Sequence, residues 1–154
     1  MSKPKVYFAH PFDKWKTKRE AMIEKILEER GYEVVNPFKT EDKLNTKYGV
    51  SNYYEKPSLE FATEIVERDY EMVEECDAYF GWYPKGVTMI GTPLELAHAV
   101  QHKKYIIVMC YKPQPFLWVH AHAFYLGYDN FKNGIEGVKV EEFLNKQTKL
   151  DDDD

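Results

Sequence analysis

Residues 78–110 read AYFGWYPKGVTMIGTPLELAHAVQHKKYIIVMC, and they decide the fold. Ala78 to Tyr83 is an apolar run of strand length. Tyr105 to Cys110 is a second, with Ile106, Ile107, Val108 and Met109 in succession. Pro84 to Gly91 reads as a loop between them, and Thr92 starts a helix. Strands that are apolar throughout, rather than alternating, are buried on both faces. Separated by a helix, they pair in parallel.

Working outward, Lys5 to Ala9 gives a first strand. Lys16 to Arg30 gives a helix with Met22, Ile23, Ile26 and Leu27 at helical spacing, and Gly31 fits its C′ position. Tyr32 to Val35 is a second strand, stopped by Asn36-Pro37. Thr40 to Pro57 shows no clear period and reads as a lid, an oligomer contact or an ordered surface loop. Ser58 caps a helix that runs to about Glu75. Phe116 to Leu126 is expected to form a buried helix ended by Gly127. Val138 and Val140 are expected to form a last short strand, and Glu141 to Lys146 a terminal helix. The expected fold is α/β: a flavodoxin-like three-layer α/β/α sandwich on a mainly parallel sheet of about five strands. A single domain is expected over residues 1–150, followed by a disordered acidic tail over 151–154.

A net charge of −5 with no lysine or arginine cluster argues against a nucleic-acid backbone as partner. Aromatic residues make up 16% of the chain, so rings able to stack on a nucleobase are plentiful. Cys76 and Cys110 lie in apolar runs and read as reduced core thiols. Residues 1–12 lack the apolar core of a signal peptide, and no run is long enough to span a bilayer. A cytoplasmic protein without membrane contact is expected.

In a parallel sheet of this kind, ligands bind beyond the carboxyl ends of the strands. That directs attention to His10 to Asp13, Asn36 to Phe38, Trp82 to Gly91 and the chain after Cys110. Two carboxylates stand out. Asp69 falls in the apolar series Ala62, Val66, Val73, Cys76, where a carboxylate must be paired, hydrogen-bonded or held neutral. A pair with Arg68 is expected to fail, because neighbouring helix positions face different ways. Glu95 admits two readings. Thr92-Pro93-Leu94-Glu95 is a capping box, with Thr92 at N-cap and Glu95 at N3. Alternatively, Glu95 points into the strand-end crevice, beside a glycine that lets a ligand approach, with the helix dipole favouring its ionised form.

Other chemistries lack their motifs. Glu95, His98 and His102 share a helix, but a di-iron site needs a second Glu-x-x-His and a zincin needs His-Glu-x-x-His. His120 and His122 would converge on a metal only from a special turn. No metal site and no cofactor are expected. There is no Gly-x-Gly-x-x-Gly, no P-loop lysine and no serine nucleophile elbow.

Taken in order, these residues resemble a known family. Val6-Tyr7-Phe8-Ala9, then Glu67-Arg68-Asp69-Tyr70 with Cys76-Asp77-Ala78, then Gly91-Thr92-Pro93-Leu94-Glu95-Leu96-Ala97-His98-Ala99 with Lys104-Tyr105-Ile106-Ile107, resemble the nucleoside 2-deoxyribosyltransferases. The resemblance implies a retaining transfer of 2-deoxyribose between nucleobases through a covalent glycosyl-glutamate. Glu95 would be the nucleophile, Asp69 the manager of the base proton, and Tyr7 the group that orients Glu95. His10, Phe12, Trp15, Thr88, Met89, Gly91, Thr92 and His120 would contact substrate, with Phe12 or Trp15 stacking on the base. The substrates would be nucleosides and free nucleobases, in a homo-oligomer (dimer, tetramer or hexamer) whose neighbour completes each site, His120 being the residue supplied.

Two positions depart from the family pattern. Met89 stands where transferases commonly carry an aspartate for the sugar 5′-hydroxyl and related hydrolases a serine for a 5′-phosphate; Thr88 or Thr92 would substitute. Ala97 replaces a usual glycine. The alternatives are a nucleoside or nucleoside 5′-monophosphate hydrolase of the same family, and a non-catalytic nucleotide-binding module in which Glu95 only caps its helix.

Overall fold

The computed structural model describes residues 3–135. The five strands are β1 (Lys5–Ala9), β2 (Glu33–Val35), β3 (Ala78–Tyr83), β4 (Tyr105–Cys110) and β5 (Ala123–Leu126). They form one sheet in the order β2-β1-β3-β4-β5, and every pair is parallel. The helices are α1 (Lys18–Glu29), α2 (Pro37–Tyr48), α3 (Leu59–Glu75), α4 (Gly91–Gln101), α5 (Pro115–Trp118) and α6 (Gly127–Gly134).

The pleat sorts the core into two layers. From β1, Val6 and Phe8 join Ile23, Ile26 and Leu27 of α1 and Phe131 of α6. Tyr7 and Ala9 point the other way, onto Val73 of α3 and Leu96 and Ala99 of α4. All four of these β1 residues are fully buried, as the continuous apolar runs require. The α/β sandwich expected from the sequence is therefore the fold observed. Cys76 and Cys110 are buried free thiols, and burial pushes the Cys76 thiol up to about 12. Among the described residues no helix is long and apolar enough to cross a membrane.

Two segments differ from the sequence reading. Residues 37–48 form helix α2, not a loop: the Asn36 side chain accepts from Phe38 N at 3.1 Å, Pro37 opens the helix, and Gly49 at φ 68° closes it. Buried Asn45 lies on its inward face, where its amide donates to Ser51 O at 3.1 Å. Polar residues turned inward are what hide the helical period. Residues 116–126 contain only the end of short α5, after which the chain enters edge strand β5. Gly127, at φ 81°, opens α6 instead of ending a helix. The strand expected at Val138 and Val140, the helix at Glu141 to Lys146 and the tail at 151–154 lie outside the described residues.

Candidate active site

A cleft of about 540 Å³ opens at the carboxyl edge of the sheet. Its chemistry begins with β1. Tyr7 projects from the sheet into the layer under α4, is fully buried, and donates its hydroxyl to Glu95 Oε2. Its ring stacks on Tyr79, whose hydroxyl donates to Thr92 O at 2.9 Å, so the start of α4 is tied to β3.

Helix α4 starts at Gly91, one residue before the sequence reading, with Ile90 at N-cap and no side-chain cap bond. The capping-box reading is thereby corrected: Glu95 lies past the first turn and turns to Tyr7 rather than to backbone amides. The dipole argument weakens for the same reason, since that field fades beyond the first turn. Burial dominates instead and pushes the Glu95 carboxyl up to about 8. Glu95 nonetheless faces the cleft, with Gly91 beside it: a Cβ there would meet Oε1 at 3.8 Å, an ordinary van der Waals contact.

Asp69 reaches the cleft from α3. Burial raises its pKa, opposed by Arg68, whose Nη2 donates to Asp69 Oδ1 at 2.8 Å. The expectation that Arg68 faces elsewhere was wrong, because a guanidinium on a flexible stem reaches round to its neighbour. A third carboxylate, Glu41 of α2, escaped the sequence reading. It lines the same cleft, and burial together with the charge of Asp69 lifts its pKa to about 7. The signal available for it was Asn36-Pro37, an N-cap followed by a helix-opening proline.

His10 lines the cleft as part of its wall. Its Nδ1 meets Phe8 O at 2.9 Å and its Nε2 meets Glu20 at 2.5 Å, so both ring nitrogens are engaged. Phe12 stands at the rim in edge-to-face contact with Phe38 and Tyr54. Thr88, Met89, Gly91 and Thr92 line the same cleft, as does Asp13. An apolar hollow of about 400 Å³ continues it, sharing Phe12, Phe38, Glu41, Tyr54, Ile65 and Ile90. Trp15 is not a lining residue and packs behind Phe38, with ring centroids 5.9 Å apart. His120 is exposed and lies in a different hollow, with Lys103, Lys104 and Ile106 at the amino end of the sheet.

The burial of Glu95 sets a pH dependence of stability. Its native pKa, about 8, lies above the ordinary 4.5, so between those values the folded chain holds a proton that the unfolded chain has released. Stability from this group is complete below about 4.5 and is lost as pH climbs through about 8. Glu95→Gln is neutral at every pH and lacks this loss. In urea titrations the variant is expected to gain stability over the parent between pH 5 and pH 9, by an amount on the order of a few kcal/mol. An equal difference at both pH values would show that Glu95 is not buried as a charge.

One buried and two half-buried carboxylates at the carboxyl edge of a parallel sheet, beside an aromatic rim, define a class: α/β proteins equipped for acid–base or nucleophilic chemistry on a small molecule. Sequence comparison narrows it. The chain belongs to the nucleoside 2-deoxyribosyltransferase family, whose sequence model matches residues 6–149. That makes it one of a group of enzymes acting on N-glycosidic bonds. Solved structures agree on the fold. A 2-deoxyribosyltransferase from Bacillus psychrosaccharolyticus superposes with a TM-score of 0.62 at 20% identity, over 87% of this chain and 98% of that one. A CMP N-glycosidase from Clostridium botulinum superposes with a TM-score of 0.51 at 22% identity, over 94% and 98%. No curated protein matches the chain.

Proposed function

We propose that this protein transfers 2-deoxyribose from a nucleoside to a free nucleobase by a retaining double displacement. The observation that carries the reading is Glu95, buried at the base of the cleft with Tyr7 bonded to it. In the first step Glu95 Oε1 attacks the anomeric carbon. The C1′–O bond forms as the C1′–N bond breaks, and the electron pair leaves with the base. Asp69 gives the departing base its proton, with Glu41 beside it as a reservoir. In the second step an acceptor base attacks the glycosyl ester and returns its proton to Asp69, and Glu95 is released.

A carboxylate that is hard to ionise is also a more basic, stronger nucleophile once ionised. Tyr7 fixes its other oxygen and aims Oε1 at the sugar. The base lies against Phe12, Phe38 and Tyr54, where aromatic faces and the apolar hollow suit a flat ring. Met89 offers no acceptor for a 5′-hydroxyl, so that task passes to Thr88, Thr92 or Asp13. Trp15 supports Phe38 from behind. His10 shapes the wall.

The family match over most of the chain supports one domain. Exposed Phe116, Trp118 and Val119 lie in the segment leading to His120, and they support a homo-oligomer in which that segment meets a neighbour. A cytoplasmic setting fits the two reduced thiols.

Incubation with deoxyinosine and adenine tests the reading. Deoxyadenosine is expected, at a yield that depends on the acceptor. Free sugar formed equally with and without adenine would instead identify a hydrolase, and a panel including 5′-monophosphates would reveal its donor. No turnover on any donor would favour a binding module.

A further inference from the structure

The sequence sets aside Glu95, His98 and His102 as a metal set. The structure turns Glu95 to Tyr7 and brings Glu74 to the two histidines in its place. Glu74 stands in the last turn of α3; His98 is in the last turn of α4, and His102 is its C-cap. Histidines at this spacing share one helix face. Glu74 Oε2 is 3.7 Å from His98 Nε2, and Glu74 Oε1 is 3.7 Å from His102 Nε2. One ligand atom from each residue falls within 4.8 Å of the others. His98 Nε2 is buried and makes no hydrogen bond, a cost that a ligand would remove.

We propose that Glu74, His98 and His102 form a site for a divalent transition metal, zinc foremost, that clips the end of α3 to the end of α4. Two imidazoles and a carboxylate are an ordinary zinc donor set, with water free to take the fourth position. Zinc bonds of about 2.0–2.2 Å place tetrahedral ligand atoms roughly 3.4 Å apart, so small rotamer adjustments close the site. Both helix C-termini present partial negative charge to it. Lys104 Nζ donates to the backbone carbonyl of Glu74 at 2.6 Å, which holds the end of α3 in place, and Tyr70 stacks on the His98 ring at 4.3 Å and braces that ligand. Asp69 lies earlier in α3 and Glu95 earlier in α4, so the metal fastens the two helices that bear Asp69 and Glu95, at the end away from the cleft. Its role is structural; the transfer chemistry does not pass through it.

The test uses the full chain without a polyhistidine tag, titrated with zinc chloride in a calorimeter, and with cobalt chloride to read tetrahedral coordination from visible absorption. One zinc per chain is expected, with a zinc-dependent rise in the thermal unfolding midpoint. His102→Ala and Glu74→Gln change exposed residues, and metal-free unfolding checks that they fold. Each is expected to weaken binding at least about tenfold, no less than the loss of an outer-shell partner causes, and to shrink the midpoint shift. Absence of stoichiometric binding would overturn the proposal. So would equal binding by the parent and His102→Ala, which would place the metal elsewhere, for instance near His120 and His122.

Discussion

Glu95→Gln is expected to lower the rate of base exchange by at least about 10³-fold while leaving the protein folded. The amide matches the carboxylate in size and still accepts the Tyr7 hydroxyl, so the geometry at the base of the cleft survives. What disappears is the charge able to attack the anomeric carbon. Stability should move the other way, because the variant no longer buries a group whose ionised form is costly above about pH 8. Gain of stability with loss of turnover is the signature of a site kept under strain for its chemistry. A helix-capping glutamate would behave in the opposite sense, losing about 0.5–2 kcal/mol of stability with turnover intact. Initial rates and urea midpoints on one preparation separate the two.

Asp69→Asn is expected to cost about 10²–10⁴-fold, the usual worth of a positioned proton donor. The loss should depend on the leaving base. A base that departs readily without a proton should lose least, and one that needs protonation should lose most. A uniform loss across donors would assign Asp69 to sugar or base positioning instead. Substitution removes the negative neighbour that helps lift Glu41, so the Glu41 carboxyl should ionise more easily in the variant. Glu41→Gln, by contrast, leaves Asp69 with Arg68 and should cost less.

The sheet was legible because its central strands are buried on both faces and therefore read as unbroken apolar runs. Even the β1 alternation is hidden in such a run, since Val6 and Tyr7 are equally buried on opposite sides. Helix α2 was not legible, because Glu41 and Asn45 replace the apolar residues an amphipathic helix would place inward. Glu41 is there because the helix walls the cleft, and Asn45 holds the chain beyond the helix through Ser51 O. Ahead of β5, Phe116 and Trp118 of short α5 mimic a buried helix while facing outward. Glu95 stood out in the sequence for its place after a glycine-bearing loop, but its environment is set by Tyr7 across the sheet layer, a contact between residues far apart in the chain. Arg68 shows the limit of helix-face arguments for long side chains.

The most direct test of Glu95 as nucleophile is to trap the glycosyl ester. The protein is mixed with a 2′-fluorinated nucleoside and no acceptor, because the fluorine destabilises the oxocarbenium-like transition state and slows turnover of the intermediate. Intact mass and peptide mapping then follow. The expected result is one fluorinated sugar per chain, released base in equal amount, and the adduct on the peptide bearing Glu95, discharged by added adenine. Base release with an unmodified protein, or an adduct on Asp69 or Glu41, would contradict the account.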